Sequence, residues 1–560
     1  MIDRRSFLVS AVAGASAVSG CEPVAANAHI GGGFTGIQPE RGHWLRDRLQ
    51  GGQAWPQPAR TFKTQVLIAG AGVAGLAAAR ALRQQGLQDF AVLEMEDTAG
   101  GNSRGTELGG LPCPQGAHYL PLPGDDAPEV QDLLEELSLR TRVAGRWQYD
   151  ERHLCHSPQE RLWFDGQWQD GLLPLQGVGP DSLAQYRQFA TLVDQARSSA
   201  PWNMPVQPAL LTPAQATLAA MRFATYLDQQ GLHDVQLRWY LDYCCRDDYG
   251  AGIATVSAWA GIHYFASRHG FHAPGQETVE REGLLTWPEG NAWLTRRLAE
   301  PLGDRLHTGR LVLRIAQTKH GVELDAFNTM TQSVERWQAQ RVVVALPLFI
   351  AARVVQDAPA FLRQASLQTV YAPWLVANMH LTSPLHDRPG AAPSWDNVLY
   401  SGGTGATGLG YVDASHQSLA PVFGATVLTH YRALGDVPGG HGAGRKLLLQ
   451  RPWSQWRDEI VSELSRAHPD LAGKTTRIDI MRYGHAMAMP VPQSNGRVGA
   501  RPPINESAPG NRKQPYPDRH VPSWERLNFA HSDWAGYSVF EEAFTLGHAA
   551  GFGSAALEKT

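Results

Sequence analysis

Apolar positions along the chain fall into short runs, helix-spaced stretches and intervening polar loops. The sharpest run, Val66-Leu67-Ile68-Ala69, breaks directly into Gly70-Ala71-Gly72-Val73-Ala74-Gly75 and then into Leu76-Ala77-Ala78-Ala79-Arg80-Ala81-Leu82. That order predicts a strand, a tight turn and a helix. A second strand is predicted over Phe90–Leu93, ending at Glu94. From position 124 to 283 the pattern turns helical, as in Val130-Gln131-Asp132-Leu133-Leu134-Glu135-Glu136-Leu137, and aromatic residues are dense. Leu311–Ile315, Val322–Phe327 and Val334–Gln338 read as a strand meander, with Val342–Leu346 re-entering the main sheet. Residues 22–60, with Gly31-Gly32-Gly33 and Pro56-Gln57-Pro58, read as a tether. Pro502-Pro503 through Pro515-Tyr516-Pro517 reads as a loop.

The first turn carries chemistry. Gly70 permits it, Gly72 lets the backbone approach phosphates, and Gly75 lets helix and strand pack closely. The helix start, with Val73 and Ala74, offers its N–H groups to a pyrophosphate. Glu94 stands about 20 residues further on, where a carboxylate can bind a ribose hydroxyl. Together these features point to dinucleotide binding.

At 560 residues the chain is long enough for two interwoven domains, and a net charge of −4 gives no reason to expect nucleic acid as a partner. Five Cys do not make a disulfide framework, and adjacent Cys244-Cys245 read as two buried thiols. His153-Leu154-Cys155-His156 and His269-Gly270-Phe271-His272 lack a second pair at a recognised spacing, so no metal is expected. At the N-terminus, Asp3-Arg4-Arg5-Ser6-Phe7-Leu8 is a twin-arginine pattern, and Val18-Ser19-Gly20-Cys21 resembles a bacterial lipobox. Export through the twin-arginine machinery and lipidation at Cys21 are therefore expected. They would place the protein on the periplasmic or cell-envelope side of a bacterial membrane, held by its lipid alone.

Several further segments stand in a recognisable order. Glu96-Asp97-Thr98-Ala99-Gly100-Gly101-Asn102-Ser103-Arg104-Gly105 is followed by Gly116-Ala117-His118-Tyr119-Leu120. Trp287-Pro288-Glu289-Gly290-Asn291 and Arg341-Val342-Val343-Val344-Ala345-Leu346-Pro347 lie in the middle. Asn528-Phe529-Ala530-His531-Ser532-Asp533-Trp534 and Glu541-Glu542-Ala543-Phe544-Thr545-Leu546-Gly547-His548 close the chain. The set resembles the flavin-containing amine oxidase superfamily. The resemblance implies an α/β fold, in which a two-dinucleotide-binding-type FAD domain (a Rossmann-like parallel sheet plus a β-meander) is interwoven with an α+β substrate domain. The expected division is a signal over 1–21, a tether over 22–63, an FAD domain from 64–123, 284–352 and 522–560, and a substrate domain from 124–283 and 353–521.

It further implies FAD, with Gly70, Gly72 and Gly75 at the pyrophosphate and Glu94 at the adenosine ribose. Gly100, Gly101 and Arg104 would form a second phosphate-side motif, and Gly116, Ala117 and His118 would lie beside the isoalloxazine. Asp533 would contact the ribityl-phosphate region, and the helix start at Glu542-Ala543 would face the pyrimidine ring. No Cys follows Cys245, so non-covalent FAD is expected. Two features depart from the family pattern. Glu542 stands where many relatives have Gly, and Tyr371-Ala372-Pro373-Trp374-Leu375-Val376-Ala377-Asn378-Met379 lacks the Lys that many amine oxidases hold near flavin N5. The electron acceptor could therefore be oxygen or another carrier.

For a small-molecule substrate, Asp247, Asp248 and Tyr249 follow a run of aromatics and offer a cation site, with His118 beside it. His485, Trp374 and Tyr537 are expected as cavity walls facing the ring. The expected reaction is oxidation of an amine, with a polyamine favoured, by hydride transfer to flavin N5. The alternatives are a flavin-dependent desaturase or isomerase on an apolar substrate, and a non-catalytic flavin-binding lipoprotein.

Overall fold

A computed structural model describes residues 27–52, 55–206, 211–268, 270–275, 283–402, 408–418, 424–493, 495, 498–500 and 520–555. The expected signal and Cys21 lie outside these residues, as does the Pro-rich loop from 501 to 519.

Strand Arg60–Ala69 lies at the centre of one sheet because its C-terminal half is apolar on both faces and buried on both. It pairs in parallel with Phe90–Leu93 on one side and with Ser333–Val344 on the other. The expected breaks between 338 and 342 do not occur: Ser333–Val344 is one continuous strand. It pairs antiparallel with Gly321–Asn328, which pairs in turn with Arg310–Thr318. Leu527–Phe529 adds in parallel beside Val342–Val344. The helix Val73–Gln84 follows the central strand and is covered by the last helix, Phe540–Ala555. These two helices approach closely because Gly547 and Gly551 sit against the backbone of Ala74 and Ala78.

A second, eight-stranded sheet runs in the order Gly31–Phe34, Thr475–Met489, Val370–Leu381, Thr426–Ala433, Tyr411–Asp413, Asp396–Leu399, Glu160–Phe164 and Gln167–Asp170. Aromatic-rich helices, among them Val235–Tyr249 and Ala258–Ala266, pack on one side of it and share a core with Trp374 and Tyr483. Gly440–Gln450 and Trp453–Leu464 belong to a separate core built on Leu375, Ala377, Ile478 and Ile480.

Two expectations are corrected. Residues 31–50 are not a tether, since Gly31–Phe34 forms an edge strand and Pro39–Gln50 a helix. Nor is 124–283 purely helical. The hairpin Arg140–Val143/Arg146–Tyr149 and the strands Glu160–Phe164 and Gln167–Asp170 precede the helices, and the helix Pro128–Glu136 packs into the first core.

Candidate active site

The glycine turn forms a cradle that only glycine can make. Gly70 has φ +100°, and a Cβ there would lie 2.4 Å from the Ala345 carbonyl oxygen. At Gly75 a Cβ would lie 1.9 Å from the Gly70 carbonyl oxygen. Gly72 caps the helix Val73–Gln84 without a side-chain hydrogen bond, and no acidic residue occupies the first turn. The first N–H groups of a helix have no intrahelical acceptor, so this largely buried helix start suits a pyrophosphate. Gly100 and Gly101 are brought against it: Gly72 bridges Gly100, and the Gly100 N–H donates to the Ala71 carbonyl at 2.8 Å.

The Glu94 carboxylate accepts from the N–H groups of Ala71 at 2.8 Å and Glu96 at 2.9 Å. Burial raises its pKa against those two donors and the nearby Arg104. Arg104 donates to the Gly101 carbonyl and lies 3.7 Å from Glu96. These groups fit the phosphate and ribose of an FAD.

Further along, Gly116 leaves room for the Asn102 carbonyl oxygen, which a Cβ would meet at 2.1 Å. Its own carbonyl accepts from the Tyr431 hydroxyl, and the preceding Gln115 carbonyl accepts from Tyr483. Ala117 is left exposed between the two sheets' residues, as a ring-side position requires. Asp533 accepts from the Leu348 N–H at 3.0 Å and from the Tyr371 hydroxyl at 2.6 Å, and lies 3.1 Å from His531. Burial pushes its carboxyl up, but His531, Tyr371 and Leu348 outweigh burial and hold it below the usual range.

Glu542 turns neither to the cofactor side nor to solvent. It is fully buried and accepts from the Val206 N–H and the Tyr537 hydroxyl. Ala543 lies in the first turn of the same helix.

The expected substrate residues separate. His118 stacks on Tyr431 at 4.4 Å, with Trp395 at 5.3 Å and Tyr119 at 5.0 Å. Burial pushes its imidazole down to about 3, so it is neutral. Asp247 belongs to an acidic cluster with Asp396 and Glu160, close enough for their charges to act on one another. Burial, reinforced by Asp248, pushes its carboxyl up to about 7. Asp396 is held well above the carboxylate range by burial and by Asp247 and Glu160. Both carboxylates keep part of their surface uncovered. The Tyr243 hydroxyl donates to Asp396 at 3.4 Å.

Asp396 and Glu160 were not legible in the sequence. They are direct partners on two parallel strands that are remote in sequence.

Asp248 and Tyr249 do not join this cluster. Successive residues on a helix point about 100° apart. Asp248 forms a buried pair with Arg268 at 2.9 Å, and the Tyr249 hydroxyl donates to the Ala260 carbonyl at 3.0 Å. Truncating Arg268 to alanine should therefore cost about 3–5 kcal/mol of stability, because a buried carboxylate loses its partner. Denaturant unfolding would measure it.

Tyr537 is also fully buried, among Tyr249, Trp259 and His263, and is not a cavity wall. Trp374 is paired in register with Tyr483 and lies against Gly250. His485 is exposed, stacked on Phe349 at 4.5 Å, with Tyr371 at 5.7 Å. Partial desolvation by the rings packed on it, with Arg445 and Arg353 nearby, pushes it down to about 4. Its ring contacts lie beside Asp533 and not with the His118 set.

Comparison with known proteins gives a consistent picture. Residues 73–550 match the family model described as flavin containing amine oxidoreductase. Amine oxidase [flavin-containing] B of Bos taurus is 24% identical over 313 residues, 53% of each chain. Amine oxidase [flavin-containing] of Oncorhynchus mykiss is 25% identical over 295 residues, 50% of each chain. The chain thus spans about half the length of the curated relatives it matches. Among solved structures, a putrescine oxidase double mutant superposes with TM-score 0.63 at 17% identity, over 89% of this chain and 100% of that one. Cyclohexylamine oxidase from Brevibacterium oxydans gives 0.61 at 18%, over 89% of this chain and 100% of that one. A fatty acid isomerase from P. acnes gives 0.53 at 14%, over 87% of this chain and 97% of that one.

Proposed function

The chain belongs to the flavin-containing amine oxidoreductase family, with FAD as its cofactor, and from that premise we propose that it oxidises a di- or polyamine. One observation carries the substrate class: Asp247, Asp396 and Glu160 gather within electrostatic reach of one another, and the first two reach Tyr431, whose ring stacks on His118 beside Trp395; we read this group as the lining of a substrate chamber. Asp247 and Asp396, desolvated and with raised pKa values, hold protons, and a dication can displace them while gaining cation–π contact with the walls. Bound FAD supplies the acceptor for hydride from the carbon beside the amine nitrogen. The reacting nitrogen must be neutral for that step. The aromatic end of the chamber favours the neutral form by desolvation, while the carboxylate end holds the distal ammonium. Neutral His118 adds no competing charge.

The missing Lys in Val370–Leu381, where Trp374 stands, supports an electron acceptor other than oxygen. Export by the twin-arginine route and lipidation at Cys21 complete the proposal. Metabolic labelling with a fatty acid would show the anchor, and an unmodified Cys21 in the mature chain would remove it. The desaturase or isomerase reading calls for a largely apolar chamber, which the three carboxylates disfavour.

Anaerobic mixing of the purified protein with diamines, polyamines and monoamines tests the activity. Bleaching of the flavin absorbance by di- and polyamines ahead of monoamines is expected. A yellow protein that no amine bleaches would overturn the reading. Readmitting air then separates oxidase from dehydrogenase.

A further inference from the structure

The segment before the first dinucleotide-binding strand touches both domains. Asn27 donates to Asp458, and Ile30 is buried with Ile478, Ile480 and Trp456. Gly31–Phe34 pairs in parallel with Arg477–Ile480, and the Arg482 guanidinium lies 3.6 Å over the Phe34 ring. The chain then crosses at Gly36, where a Cβ would meet Met481 at 2.6 Å and the Gln115 amide at 3.2 Å. Gln115 directly precedes the ring-side Gly116. Only a few residues later the same segment reaches the ribose side. The Gln38 N–H donates to Glu96 at 3.3 Å, and its side-chain amide to Asp97 at 2.8 Å. Arg41 donates to the Met95 carbonyl at 2.6 Å and to Asp97 at 2.7 Å. The helix Pro39–Gln50 is fastened beyond this point by buried Leu45 and by Trp44 against Phe327 at 4.8 Å.

The loop from Glu94 to Asp97 is thereby held from two sides. On one, the Glu94 N–H donates to His307, and Gly309 and Arg310 donate to Glu96 and Glu94 carbonyls. On the other stand, among the described residues, the contacts made by Gln38 and Arg41, the Ala71 N–H on the Glu94 carboxylate and the longer Arg104–Glu96 pair.

We propose that residues 31–50 are a clasp that retains FAD, with Arg41 as the positioning residue that fixes the Glu94-bearing loop on the ribose. The clasp ties the sheet strand Arg477–Ile480 to the loop that carries Glu94, so its release would loosen the residues that would hold FAD. Arg41 acts through Met95 and Asp97 and touches no reacting atom. A Lys at this position keeps the charge facing Asp97 but loses the second, forked donor.

The test is the rate of FAD release from the full-length holoprotein, followed by the rise of free-flavin fluorescence on dilution. Arg41→Ala should release FAD roughly tenfold faster or more, the factor expected for one lost charge-assisted hydrogen bond. Arg41→Lys should recover part of the difference, and kcat at saturating FAD should not change. Arg46→Ala serves as control, because among the described residues Arg46 pairs with its neighbour Asp47 on the exposed face. An unchanged release rate in Arg41→Ala would overturn the clasp, as would an equal acceleration in Arg46→Ala, which would indicate general loosening of the helix. If Arg41→Ala does not fold, hydrogen exchange of the wild type decides. Amides of 38–50 should gain protection on FAD binding, and equal exchange with and without FAD overturns the proposal. A wild-type protein that binds no FAD would instead overturn the cofactor assignment.

Discussion

Gly75→Ala should yield a protein that purifies without flavin and unfolds earlier than wild type. The added Cβ would lie 1.9 Å from the Gly70 carbonyl oxygen and 2.9 Å from its carbon. Both are backbone atoms, so no side-chain rotation relieves the clash. The helix Val73–Gln84 must instead move away from the turn, taking with it the N–H groups of Val73 and Ala74 that would face a pyrophosphate. Overpacking of this kind costs about 3 kcal/mol or more when backbone has to shift. Bound flavin per chain, read from absorbance, and denaturant unfolding would measure the two effects. Gly124→Ala is the matched control, since a Cβ there meets nothing within 4 Å. Full flavin content and wild-type stability in Gly75→Ala would contradict the cradle.

The second large effect concerns the acidic chamber. Replacing both Asp247 and Asp396 with asparagine should weaken a diamine's affinity roughly a hundredfold or more, the scale of losing desolvated charge partners. A monoamine should lose far less. In the wild type, Asp247 titrates at about 7, so diamine KM should rise as the pH falls below that value. The effect on folding has the opposite direction. A carboxyl whose folded pKa lies above its unfolded value contributes stability below the unfolded pKa and loses it as the pH rises through the folded one. For Asp247 that window runs from the ordinary value of 3.8 to about 7. The double asparagine variant should therefore be more stable than wild type at pH 8, and its stability should depend less on pH. Unchanged diamine affinity, with stability also unchanged, would show that these carboxylates neither bind a cation nor carry a burial penalty.

Much of the cofactor side was legible because its signals are local. The strand Arg60–Ala69, the turn at Gly70 to Gly75 and the helix Val73–Gln84 follow one another within a short stretch. Each rests on backbone constraints that a glycine or an apolar run imposes where it stands. Glu94 could be read for the same reason, from its place at the end of the next strand. Asp247 was legible as a carboxylate among aromatics, but its neighbour Asp248 looked identical in sequence. Only the helix phase separated a chamber-lining group from one pinned to Arg268.

By itself, then, the sequence determined the dinucleotide cradle and the family. These follow from short-range sterics and hydrogen bonding that act between residues close in the chain. The tertiary structure decided the rest, by pairing strands remote in sequence. It set Asp396 beside Glu160 and carried Gly31–Phe34 onto the far edge of the sheet beside Arg477–Ile480. It also turned Glu542 into the protein to meet Val206 and Tyr537. Burial of apolar faces chooses those pairings, and no spacing along the chain records which faces will meet.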